Sequence, residues 1–581
     1  MALFTPSQSP AVVVKEIDLT GGVPNVQTST GAIVGNFRWG PVNQRVLVSN
    51  EAGLIETFGA PTVSTSSFAE DFHRASYFLR YSNTLQVVRG ATDEALNAQS
   101  HKTGVDPAAQ QIGTKAAFDG LSFDSGQTFL AKYPGSLGNS LRISICPADS
   151  AGGSAFSNWT YKSAFDGAPS TSVYDSARDG VNSEVHIAIV DKNGEFSGNK
   201  GTILEAFPYV SVAPNSKTNE GSTNYAKDVI NARSEYIYMV DWDSAFAGAN
   251  AGQNLTPGST KTYQNSLNIT NYDLADGAES FVLTASEIAV GFDQFEDKDV
   301  VEIDFLIAPS LNATSAQTTV VNDLVSIANA RKDCVVVASP ARLDVVGLNN
   351  ETTITNNIVA TSANFTKSSY LIMDGNFLKV YDKFNDQYLE IPAASSTAGL
   401  MAETDRNAAP WFSPAGTKRG QYLGVTSIAY NPNKTNRDTL YKAGVNPVVN
   451  LQGSGVILFG DKTLLNRPSA FDRINVRRLF LVLERAIARA AENVMFEFND
   501  EFTRAEFVNI IEPVLRDVKG RRGITDFRIV ADETVNTPEV VDRNEFIANI
   551  FIKPARSINY VTLNFVAVRT GVDFEEVVGT V

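Results

Sequence analysis

In the run NVRRLFLVLERAIARAAENVMFEFN, residues 475–499, apolar positions recur three and four apart. Val476, Leu479, Phe480, Leu483, Ile487, Ala490, Ala491 and Val494 thereby fall on one side of a helix. Arg473, Arg477, Arg478, Arg485 and Arg489 supply much of the rest, so the pattern predicts a helix with one dry face and one basic face. A second helical pattern comes next, with Phe507, Ile510, Ile511, Val514, Leu515 and Val518 on its apolar side. Thr503 and Glu506 have the spacing of a capping box at its start, Pro513 is expected to kink it, and Gly520 is placed to stop it. Strands are predicted over 527–531, 546–553 and 560–569, and VDFEEVVGTV beyond Gly571 reads as one more short strand.

Earlier in the chain the period changes. AVVVKEI, residues 11–17, reads as a strand separated from the rest of the chain by Gly21, Gly22 and Pro24. Strand-like runs over 31–50, helices over 51–58 and 68–81, and a strand over 85–89 form an α/β pattern. Strands are predicted over 141–146, 185–190, 201–212 and 236–242, with a helix over 225–232 and a polar surface excursion over 244–280. The apolar run VEIDFLIA at 301–308, a helix over 320–330 and the strand CVVVASP from Cys334 suggest parallel strands joined by a right-handed crossover and buried on both faces. Strands over 370–373 and 378–381 precede a Gly- and Pro-rich stretch, 398–420, read as an ordered connection.

The fold class expected is therefore a multidomain α/β and α+β chain. Residues 1–22 form an N-terminal linking arm, 23–95 and 186–397 an α/β middle part, and 96–185 an inserted β-rich domain. Residues 398–570 form a C-terminal α+β domain and 571–581 a C-terminal arm. A length of 581 residues exceeds one ordinary core, which agrees with several domains.

Hydrophobic content of 43% supports sizeable cores, and a net charge of −16 argues against a general nucleic-acid binder, since phosphate contacts need a positive surface. The two cysteines, Cys146 and Cys334, are expected as buried thiols. No run reaches the length of a membrane span, and the opening MALFTPSQSP lacks the pattern of a secretory signal, so direct membrane insertion is not expected and the Asn-x-Ser/Thr matches at Asn158 and Asn312 carry no meaning.

Enzyme-like signals are few. His73, His101 and His186 have no ligand spacing, so no metal site is expected. GEFSGNKGT, residues 194–202, is one residue short of a phosphate loop and has Asn199 where lysine is needed, so neither an amide cradle nor a nucleotide is expected there. Gly453-Ser454-Gly455 reads as a turn. Asp241, Asp243, Asp293, Glu296, Asp297 and Asp299 lie where surface loops are predicted, and nothing selects a catalytic pair among them.

Three segments carry a resemblance. GSGVILFGDKTL from Gly453 leads into FDRINVRRLFLVLERAIA from Phe471 and on to the strand ending in Lys553-Pro554. AGLMAETDRNAAPWFSPAG begins at Ala398, and SPAVVVKEID begins at Ser9. In this order they resemble the contractile tail sheath proteins of bacteriophages, a family shared with the sheath subunits of contractile injection systems. The likeness covers 9–95 and 300–570 and leaves 96–185 unmatched.

The resemblance implies a structural subunit with no cofactor and no catalytic residues. It polymerises with copies of itself around an inner tail tube, meets baseplate and tail terminator proteins, and contracts without nucleotide hydrolysis to drive the tube through a cell envelope. It implies assembly in the host cytoplasm and residence in the virion tail. On this reading Val12, Val13, Val14 and Ile17 of one arm, and Phe574, Val577 and Val578 of the other, add to sheet edges in neighbouring subunits. The C-terminal domain would lie against the tube, with Arg473, Arg477, Arg478, Arg485 and Arg489 facing tube carboxylates or, alternatively, paired with Asp472, Glu484 or other carboxylates of the chain itself. A tube or capsid component and, on the strength of the α/β core, an enzyme are the competing readings.

Overall fold

The computed structural model describes residues 29–62, 66–123, 126–148, 154–243, 246, 250, 252–263, 268–279 and 282–559. Both expected linking arms, with Val12, Val13, Val14, Ile17, Phe574, Val577 and Val578, and the expected strand over 560–569 lie outside the described residues. The chain divides into two compact units, Asn25–Pro410 with Pro414–Arg485, and Trp411–Ser413 with the chain from Ala486 onward.

The larger unit is built on a six-stranded sheet in the order Leu371–Met373, Val335–Ala338, Phe305–Ile307, Gly31–Asn36, Leu85–Gly90 and Arg45–Val48. All neighbours are parallel except the last pair, which is antiparallel. Alternate residues serve opposite faces, as the two-residue period of a strand requires. Ala32, Val34, Leu306 and Val336 pack in one core with the helices Ala285–Asp293, Thr314–Arg331 and Glu351–Asn364. Ile33, Phe305, Ile307, Val335 and Val337 pack in the other, with side chains from the helices Glu51–Phe58, Ser66–Leu79 and Ala394–Asn407. The expected crossover, strand to helix to parallel strand and buried on both faces, is present between Phe305 and Ala338.

Between Gly90 and Leu283 the chain leaves this sheet. A four-stranded antiparallel sheet orders Thr270–Asp273, Leu141–Pro147, Glu184–Asp191 and Thr202–Ser211, beside a three-stranded one of Ile237–Met239, Gln127–Ala131 and Gln99–His101. Residue 185, the expected end of the inserted segment, falls inside a central strand, and the sheet runs on to Asp273. The polar stretch 244–280 is accordingly more than a surface excursion: Leu255, Tyr263 and Leu274 are buried in the same core. Isolated apolar residues among Gly, Asn and Ser carry too little periodicity to signal this.

A fourth sheet, Gln387–Pro392, Phe377–Asp382 and Val425–Ile428, the short pair Gly180–Val181 with Lys261–Thr262, and a hairpin of Val448–Leu451 with Gly455–Leu458 complete the described sheets of the larger unit. Gly453 and Gly455, at φ 86° and 70°, make the expected turn. The stretch from Ala398 is not a connection: Ala394–Asn407 is a helix whose first nine residues, ASSTAGLMA, are all buried. Small side chains let it lie close to the sheet, and their lack of bulk is what hides its periodicity in the sequence.

In the smaller unit the helix Glu501–Gly520 is capped not by Thr503 but by Asp500, whose carboxylate accepts the Thr503 amide at 2.8 Å. Pro513 sits within it and Gly520 is its last residue, as expected. Trp411 packs here, its indole N–H donating to the Arg521 carbonyl at 3.1 Å. Ile524–Val530 and Asn549–Pro554 pair as an antiparallel hairpin.

Candidate functional site: the arginine helix and its carboxylates

The predicted arginine helix spans Ile474–Glu492. Its expected division into a dry and a basic face fails in the first two turns, where Ile474, Asn475, Val476, Arg477, Arg478 and Leu479 are all buried. Charges enter such an interior only with partners and hydrogen bonds; Arg473, Arg478 and Arg485 have both, whereas Arg477 is held by rings and a carboxylate, its Nε without a hydrogen bond among the described residues. Arg478 forms a two-pronged pair with Asp405, 2.5 Å on each side, donates to the Met401 carbonyl at 3.1 Å and lies over the Phe305 ring. Arg477 stacks on Tyr370 and Phe471, with Glu484 3.5 Å away. Arg485 donates to Asp304 at 2.8 Å and to the Asp333 carbonyl at 2.8 Å. Burial pushes the Asp304 carboxyl up from its ordinary range, and Arg485 and the Thr30 amide pull it back. Arg473 donates to Asp461 at 2.9 Å.

Two of the segments that carry the resemblance hold these pairs. In FGDKTL, Asp461 accepts Arg473, and its carbonyl accepts the Ile474 amide at 2.8 Å. Thr463 donates its hydroxyl to the Phe471 carbonyl at 2.8 Å, and the Lys462 amide donates to Asn446 at 2.8 Å. A Cβ on Gly460 would stand 2.8 Å from the Asn446 side-chain oxygen, which requires glycine there. These contacts fix the entry of the arginine helix. In AGLMAETD, Ala398 and Ala402 pack on the sheet, Asp405 takes Arg478, and a Cβ on Gly399 would meet the Tyr81 ring at 2.3 Å. The segments are docking surfaces for one another.

Of the five arginines, some of which were expected to face a tube unless they paired within the chain, Arg477 and Arg478 are turned into their own unit, with side chains 6% and 5% exposed, and Arg473 and Arg485 are paired within it. Arg489 is half-buried, in the smaller unit. Of the carboxylate partners, Asp472 beside Arg473 and Glu484 two helical turns after Arg477 were readable from their nearness in the sequence. Asp304, Asp405 and Asp461 were not, because they come from 12 to 181 residues away. An aspartate inside each apolar or small-residue run was the one available signal.

The enzyme-like features resolve structurally. The crevice between Asp304, Asp333, Arg478 and Arg485 has room for about one water molecule. No group of three metal-ligating side chains stands together among the described residues. His186 is buried, its ring nitrogens 2.7 Å from the Gly167 carbonyl and 3.0 Å from the Tyr209 amide that donates to it. Cys146 and Cys334 are buried without a disulfide. The loop at 194–202 corrects one expectation. The amides of Gly194, Glu195, Phe196 and Ser197 do form a cradle, and the carboxylate of Asp191 fills it at 2.8–3.0 Å. Burial works against this charge, but the Ser140 hydroxyl and the amides hold the Asp191 carboxyl below its ordinary range.

Comparison with known proteins accounts for the segments that meet at this helix. The family model of the phage tail sheath protein central domain matches residues 282–464, and that of the phage tail sheath C-terminal domain matches 466–567. The tail sheath protein of Enterobacteria phage T4 is 32% identical over 98% of this chain and 99% of its own. That of Vibrio phage KVP40 is 32% identical, again over 98% of this chain and 99% of its own. The crystal structure of a sheath tail protein from Listeria innocua has the same mixed α/β fold, with a TM-score of 0.54, 14% identity, and coverage of 92% of this chain and 93% of that one. With relatives matched along nearly its whole length, the chain belongs to the phage tail sheath protein family.

Proposed function

We propose that this protein is the structural subunit of a contractile tail sheath. Copies polymerise around an inner tail tube, and contraction of the polymer drives the tube through the target envelope. The observation that carries this is full-length similarity to tail sheath proteins. The relatives are structural tail sheath proteins, which supports a non-enzymatic role. Baseplate, terminator and tube proteins are its partners on this reading. Assembly takes place in the host cytoplasm, with the sheath as part of the virion.

In the proposed domain arrangement the segment between Gly90 and Leu283 points outward, and the chain from Ala486 is the polymerisation domain. The hairpin Ile524–Val530 with Asn549–Pro554 has one unpaired edge on each strand among the described residues. Strands from neighbours, carrying Val12, Val13, Val14 and Ile17 or Phe574, Val577 and Val578, add to those edges through main-chain hydrogen bonds. Deleting residues 1–20 tests the linkage: a folded monomer that forms no wide hollow sheath in the electron microscope is expected, and normal sheath from the truncated chain rules the linkage out.

A further inference from the structure

In the smaller unit, the segment between the arginine helix and the helix Glu501–Gly520 reads NVMFEFND, and Phe502 lies just beyond it. Phe496 and Phe498 are 104% and 84% exposed, and Met495 and Phe502 are more than half exposed. The loop is nevertheless tied down. Asn499 donates to the Glu545 carbonyl at 2.7 Å, Arg504 donates to the Asn499 side chain at 3.0 Å, and Asp500 caps the next helix. Four large apolar side chains on an anchored loop form a surface of the kind that marks a protein contact, and aromatic residues carry most of the energy at such contacts. Their rim is acidic: Glu492, Glu497, Asp500 and Glu501 are exposed, and no lysine or arginine occurs from 490 to 503.

The hairpin of the same unit presents a surface of opposite character. Phe551 is 58% exposed, with exposed Arg528 opposite it across the strands, and Lys553, Arg556 and the exposed Ile558 come after it. No acidic residue occurs from 546 to 559, and the exposed Asp526 opposite Lys553 is paired with Lys519 at 3.1 Å, which leaves Arg528, Lys553 and Arg556 as the excess charge. We propose that the Met495–Phe502 loop of one copy docks on the Phe551–Ile558 surface of a second copy, aromatic on aromatic, with Glu497 and Glu501 facing Lys553 and Arg556. The two surfaces differ, so the contact is head-to-tail and propagates from copy to copy, as an open helical polymer or a ring requires. This rests on the sheath reading and adds to it a contact made by side chains, separate from the main-chain pairing of the arms.

Cross-linking tests it on the full chain. Phe498→Cys and Phe551→Cys are prepared separately, mixed one to one, assembled with tube protein and treated with a short bis-maleimide. The native Cys146 and Cys334 are buried and leave the two new thiols as the reactive pair. A covalent dimer in the mixture, and none in either variant alone, is expected. Glu497→Lys with Glu501→Lys should abolish both dimer and sheath, and adding Lys553→Glu with Arg556→Glu to the same chain should restore them. Sheath in the electron microscope without the mixed dimer overturns the contact and leaves the sheath reading standing. A Phe498→Cys cross-link to tube protein instead assigns the loop to the tube and overturns the contact as well. Absence of any sheath from the unsubstituted chain overturns both readings.

Discussion

The chain before Arg485 and the chain after it treat the same kinds of side chain in opposite ways. In the larger unit Arg477 and Arg478 are buried against aromatic rings and carboxylates, and the phenylalanines of the sheet are buried with them. In the smaller unit the arginines and lysines of the hairpin are exposed, and so are Phe496, Phe498, Phe502 and Phe551. The difference lies in the number of layers. A six-stranded sheet with helices on both faces has an inside large enough to enclose an ion pair together with its hydrogen-bonding partners. A two-stranded hairpin beside a helix has too little interior to hide every aromatic residue its sequence contains. On the proposed reading such a unit is completed by a neighbour, as the parts of a polymer are.

The contrast breaks most readily at the buried pair. Asp405→Ala leaves the Arg478 guanidinium charged and without its paired carboxylate beside the sheet, and a loss of about 3–5 kcal/mol in chemical denaturation of the monomer is expected. The double replacement Arg478→Met with Asp405→Leu should recover most of that loss. If the single variant is as stable as the unsubstituted chain, the pair does not hold the helix.

A second test is set by pH. Asp374 is buried, accepting the Ser339 and Thr397 hydroxyls at 2.7 and 3.2 Å with no basic partner in contact among the described residues, and burial pushes its carboxyl up to about 7. Its folded value lies above the ordinary 3.8, so the folded chain keeps this proton where the unfolded chain has lost it. The stability due to this group is present in full below about pH 4 and is lost as pH rises to about 7. Asp374→Asn, which keeps a side chain able to bond both hydroxyls, should flatten that part of the stability profile. An unchanged profile would show that the carboxyl titrates normally.

The smallest effect on folding is expected where the aromatic residues are exposed. Phe498→Ser should change monomer stability by no more than about 0.5 kcal/mol, since no described residue of its own unit covers the ring. The same variant should assemble poorly. A large loss of monomer stability would mean that the ring is packed within the chain and would remove the contrast between the two units.

Much of the architecture was legible because it depends on period. The parallel strands near Phe305 and Val335 announce themselves as short apolar runs with a helix between, and Glu51–Phe58 as a helix ending at Gly59. The helix Ala394–Asn407 was not legible, since nine buried residues of mostly small size make no amphipathic pattern. The arginine helix was legible as a helix and misread as a surface. Its spacing shows which residues share a side, but exposure is set by what lies opposite.

By itself, then, the sequence determined the strands, the arginine helix, the order of the motifs and through them the family, because local periodicity and residue type act over a few positions. Which arginines face inward was decided only in three dimensions. Arg478 meets Asp405 and Arg485 meets Asp304 across separations of 73 and 181 residues. Whether a charge is buried depends on whether the fold carries a carboxylate to within hydrogen-bond reach of it, and no stretch of sequence contains that distance.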